Sequence, residues 1–94
     1  LFMLNDSSVM AAAEATARRL LAVGMPMDED RLLDALYEVV TTTPPSKEER
    51  ADMLAFIRQV TERKIATGEK EPTLQAWSRA CQALFASSRF QILD

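Results

Sequence analysis

Two acidic clusters, Asp28-Glu29-Asp30 and Glu48-Glu49, come nearest to a chemical site in type and spacing. Paired carboxylates can divide acid from base work when their environments push their pKa values apart. Here each cluster opens a predicted helix, where acidic side chains act as caps and suit the positive end of the helix dipole. The Asp28 cluster also lacks the spaced oxygen ligands and the glycine of a calcium loop. The chain has no histidine, which removes Ser-His and Cys-His nucleophilic pairs and most zinc sites. Two isolated glycines cannot build a phosphate-cradling loop, and no haem-attachment motif is present. The expectation is a fragment that is not an enzyme, with no catalytic, cofactor-binding or metal-ligating residues and no cofactor.

The single cysteine, Cys81, permits no internal disulfide. It falls within an apolar stripe, which suggests a buried thiol acting as a small hydrophobe. Arg79 projects from another face, so the basic neighbourhood of a reactive thiol is missing. The methionines Met3, Met10, Met25, Met27 and Met53 mostly sit on core-facing stripes or beside caps, where they fill gaps.

The element that must position these groups is the stretch from Thr73 to Phe90. Leu74, Trp77, Cys81, Leu84, Phe85 and Ser88 recur at spacings of three and four, one face of a helix. Trp77, the only tryptophan, is its largest apolar anchor. Three earlier stretches can pack on it. The first predicted helix is capped by Asn5, with a Leu4–Val9 staple, and runs to about Val23 before Gly24. Its apolar face is Val9, Met10, Ala13, Ala17, Leu20 and Leu21, and its alanines allow close approach of a neighbour. The second is capped by Asp28, with Met27 and Leu32 at staple spacing, and presents Leu32, Leu33, Leu36, Tyr37, Val39 and Val40. The run Thr41-Thr42-Thr43-Pro44-Pro45 ends it.

Ser46-Lys47-Glu48-Glu49 is a capping box, with Ser46 as cap and Glu49 three residues on. The third helix follows to about Ala66, burying Met53, Leu54, Ile57, Val60 and Ile65. Gly68 then stands where a left-handed closing residue belongs. The sum is an all-α protein, a compact bundle of four main helices with short connections, over one domain spanning 1–94. Its 94 residues, 48% apolar and 27% charged, suit one soluble domain.

A net charge of −3 gives no long-range attraction for nucleic acid, and no basic recognition helix is present. No apolar run approaches a membrane span. The chain begins at Leu1 with neither an initiator Met nor a signal-peptide pattern, so a C-terminal fragment of a larger multidomain protein is expected. Leu1-Phe2-Met3-Leu4 and Phe90, Ile92 and Leu93 are apolar segments at the two ends. An even number of antiparallel helices brings such ends together. Phe2, Phe90 and Ile92 are therefore expected to form one patch that docks on upstream domains of the same protein, or joins two copies in a weak homodimer.

Three segments carry a family resemblance. Leu-Asn-Asp-Ser-Ser-Val from Leu4 to Val9 resembles an "LNxxxV" helix start. Leu36-Tyr37 followed by Thr43-Pro44-Pro45-Ser46-Lys47-Glu48-Glu49 resembles "LY…GRxPTxxE". Trp77 through Cys81-Gln82-Ala83-Leu84 to Phe90 resembles "WxxxCQALxNSxEF". In this order and spacing they resemble the C-terminal part of the planctomycete PSD1 domain, also called domain of unknown function 1553. Three departures stand out: Thr42-Thr43 replace the family's usual Gly-Arg, Ser87 its Asn and Arg89 its Glu. The resemblance implies an exported or periplasmic location and upstream domains, often including a cytochrome-c-like one, but no established activity. Two functions are therefore expected as alternatives. One is a non-catalytic helical packing or protein-interaction module of an exported protein of unknown function. The other is an accessory part of a larger enzyme, acting on polysaccharide, whose catalytic residues lie upstream.

Overall fold

The computed structural model describes residues 7–22 and 28–93, with side chains over 9–22 and 28–86. Four helices occupy the described residues: α1 (Ser7–Leu21), α2 (Glu29–Thr41), α3 (Lys47–Ala66) and α4 (Pro72–Leu93). Among the described residues there is no strand. The expectations for Asn5, the Leu4–Val9 staple, Gly24, Met27 and Phe2 fall outside the described residues; Phe90 and Ile92 belong to α4, but their side chains, and so the expected terminal patch, lie outside the described ones.

Helix boundaries follow local chemistry. Asp28 Oδ1 accepts the Arg31 N–H at 2.9 Å and caps α2. Ser46 and Glu49 close the predicted box reciprocally: Ser46 Oγ accepts the Glu49 N–H at 3.1 Å, and Glu49 Oε1 accepts the Ser46 N–H at 2.8 Å. α3 ends at Gly68 with φ 71°, where a Cβ would be strained. The Gly68 N–H donates to the Ile65 carbonyl and the Glu69 N–H to the Lys64 carbonyl, both at 3.0 Å, the paired bonds of a Schellman closure. α2 also closes on a left-handed residue, a less suited one and without the paired Schellman bonds. Thr42 has φ 62°, and its N–H is shared between the carbonyls of Tyr37 and Glu38 at 3.1 and 3.2 Å. α4 starts on Pro72, one residue earlier than the spacing predicts, because proline's fixed φ suits the first helical position.

α4 packs against all three other helices, most extensively against α1 and α3, while α2 lies across the remaining side. α1 and α3 do not meet within the described residues. Trp77 is 3% exposed, and Leu74, Cys81 and Leu84 are buried with it, as the stripe predicts. Ala76 and Ala80 are also buried, because α4 is covered on more than one side. α1 contributes Ala13 and Ala17, so small side chains on both helices let their backbones approach. Leu33, Leu36 and Tyr37 of α2 and Ile57 and Val60 of α3 complete the core. The radius of gyration, 13.0 Å, is that of a compact domain of this length.

Three predicted core residues lie outside. Val39 is 61% exposed, because one helical step of about 100° carries it past Val40 and off the face of Leu33, Leu36 and Tyr37. Ile65 is also 61% exposed. The inward position on that last turn is taken by Lys64, whose stem lies against the protein while its ammonium reaches Glu69 Oε2 at 3.2 Å. Met10 is on the correct face of α1 but 49% exposed, because it lines an open groove between α1 and α4.

Candidate functional site

The acidic clusters divide between capping their own helices and pairing α2 with α3. Asp28 is the α2 cap, and Glu29 Oε1 pairs with Arg58 of α3 at 2.9 Å. Asp30 and Asp34 both face Arg50 of α3, at 3.6 and 2.6 Å. Glu49 closes the capping box. Each exposed pair is worth about 0–1 kcal/mol, so these contacts set the α2–α3 register more than they stabilise the fold. Among the described residues no group of three or more His, Cys, Asp or Glu is placed to hold a metal ion. Cys81 is fully buried, and burial pushes its thiol up to about 11, with the Thr16 side chain acting weakly the other way. A thiol so disposed is not a nucleophile at neutral pH.

Two grooves remain. The first, about 310 Å³, lies where α2, α3 and α4 converge and is lined by Tyr37, Glu49, Asp52, Met53, Phe56 and Ala83. The Tyr37 ring is buried in the core and Phe56 is 38% exposed. Burial raises the Tyr37 hydroxyl above its usual range, and the Glu49 and Asp52 carboxylates raise it further. Both acidic groups therefore act on the tyrosine at this apolar surface. Phe56 is outside the stripe that predicts the α3 core. Its spacing of three from Met53 and four from Val60, beside the more deeply buried Ile57, places it at the edge of the core face and was the available signal.

The second groove, about 460 Å³, runs between α1 and α4. Met10, Ala13 and Leu74 line it beside Glu14, Arg18, Lys70, Glu71, Gln75, Ser78, Arg79 and Gln82. Arg18 bridges Glu14 at 3.2 Å and Glu71 at 3.4 Å, so its charge is matched within the groove. Glu71 holds φ 53° just before Pro72, a strained turn for a non-glycine residue. Ser78 Oγ is buried and has no hydrogen-bond partner among the described residues.

No protein-family model, curated protein or solved structure matches this chain. No helix of the described residues is long and apolar enough to cross a membrane.

Proposed function

We propose that this chain is a non-catalytic helical packing or protein-interaction module of the planctomycete PSD1 type, serving an exported multidomain protein. The observation that carries the module reading is the groove at Phe56. Phe56 stays 38% exposed beside Tyr37 of the core and Met53 packed against it, so an exposed aromatic ring and the edge of the core form one concave surface. Concave apolar surfaces of this kind are where proteins dock one another. The family assignment rests on the three motif segments. It gains one physical argument: the family's usual glycine falls on Thr42, whose φ of 62° is a backbone conformation that favours glycine.

The test is site-directed photo-crosslinking in the producing cell, with p-benzoylphenylalanine placed at position 56, 39 or 65. A discrete adduct from position 56 alone supports the module reading. Equal adducts from the exposed control sites, or none from position 56, refutes it.

A second reading, an accessory wall of an enzyme site acting on polysaccharide, is favoured by the α1–α4 groove. Its Glu14, Gln75 and Gln82 side chains are of the kind that hydrogen-bond sugar hydroxyls. Saturation-transfer contacts from soluble oligosaccharides that vanish in Gln75→Ala would favour this reading over the first.

A further inference from the structure

The Phe56 groove has a charge signature as well as an apolar floor. Its two charged lining residues, Glu49 and Asp52, are both acidic, and no lysine or arginine lines it. Three carboxylates of α2 behave differently: Glu29, Asp30 and Asp34 are each matched by an arginine of α3. Asp52 makes no hydrogen bond and no ion pair among the described residues. Glu49 commits Oε1 to the Ser46 N–H, an interaction that leaves its negative charge unneutralised. An apolar hollow rimmed by unmatched carboxylates is complementary to an apolar side chain with cations beside it. At about 310 Å³ and open to solvent, it suits a protruding anchor residue better than an enclosed small molecule.

We propose that this groove receives a basic segment of another protein, in which one apolar anchor residue seats on Tyr37, Met53, Phe56 and Ala83 while flanking Lys or Arg side chains face Glu49 and Asp52. This inference rests on the module reading above and adds the chemistry of the partner. The anchor supplies most of the affinity, because it is fully desolvated, and the rim charges supply orientation and a salt-sensitive association rate. A second copy of the chain is the competing occupant, since the exposed Ile65 lies two residues from Arg63. The net charge of −3 on each copy opposes it.

The probe is a synthetic amphipathic helix with leucines on one face and lysines on the other, titrated into ¹⁵N-labelled protein. Two comparison peptides replace every lysine by glutamate, or every leucine by alanine. The expected result is a set of amide shifts centred on Tyr37, Asp52, Met53, Phe56 and Ala83, seen with the leucine–lysine peptide and lost with either comparison peptide. Asp52→Asn is expected to weaken binding about two- to fivefold, the worth of one exposed charge pair. Phe56→Ser is expected to weaken it about tenfold or more. Circular dichroism of both variants establishes that they remain folded.

Shifts spread over all acidic surfaces, or equal binding of the glutamate peptide, overturn the inference. Concentration-dependent sedimentation of the protein alone that Phe56→Ser abolishes also overturns it, in favour of a second copy. A discrete crosslink from position 56 in cells, without groove binding by the lysine peptide, leaves the module reading standing and removes this one.

Discussion

Replacing Thr42 by glycine is expected to stabilise the protein, although glycine in place of another residue generally adds chain entropy to be lost on folding. Thr42 closes α2 at φ 62°, and its N–H still reaches the Tyr37 and Glu38 carbonyls. Holding an L-residue in this left-handed region costs about 1–2 kcal/mol, with β-branched side chains among the worst suited. Glycine removes that strain but loses more backbone freedom on folding, about 0.5–1 kcal/mol. The Thr42 hydroxyl bonds only to the neighbouring Thr41 carbonyl at the surface, so its loss weighs little. The net expectation is a gain of about 0.5–1 kcal/mol, and a full 1 kcal/mol raises the melting temperature of a domain this size by about 4–8 °C. Thr43→Gly is the control, because Thr43 has no positive φ and its N–H bonds Thr41 Oγ1 at 3.3 Å. It should lose about 0.5–1 kcal/mol. Thermal unfolding of the three proteins in one buffer decides the matter. A Thr42→Gly melting temperature at or below wild type would refute the strain, and with it the physical reason for a glycine at this point.

Trp77→Ala should cost about 3–5 kcal/mol, a large share of the stability of a domain this size, and denaturant unfolding would read it directly. Ser46→Ala should cost about 1 kcal/mol, and the Ser46→Ala/Glu49→Ala pair should cost less than the sum of the single changes, since the two hydrogen bonds form one box. Cys81 should resist iodoacetamide in the native protein at neutral pH and react on unfolding. With its folded pKa raised to about 11 from near 9, the Cys81 contribution is complete below pH 9 and is lost as pH rises through 11. Unfolding free energies measured from pH 8 to pH 11 should therefore fall more in wild type than in Cys81→Ala.

What could be read from the sequence was local or strongly periodic. The Ser46–Glu49 box, the Asp28 cap and the Gly68 closure each involve residues within a few positions of one another, so spacing alone reveals them. The Trp77 stripe was legible because its large side chains recur every three or four residues. Ala76 and Ala80 escaped notice because alanine marks no stripe, although helices on several sides bury both. Val39 and Ile65 misled because apolar type is visible in a sequence and the width of the buried arc is not. The Phe56 groove was hidden for a different reason. Tyr37, Phe56 and Ala83 come from three helices, and their meeting depends on how α2 and α3 settle on α4. Of the two acidic clusters, Asp28 and Glu49 cap their helices, and Glu29 and Asp30 pair with arginines of α3.

The central claim is that Phe56 is placed for contact and its neighbour Ile57 for stability. The most direct measurement is denaturant unfolding of Phe56→Ser beside Ile57→Ser. Ile57 is almost fully buried, so its replacement should cost about 2–5 kcal/mol or prevent folding, while Phe56, 38% exposed, should lose less than half as much. Equal losses, or a greater loss at Phe56, would contradict the claim by making Phe56 part of the core.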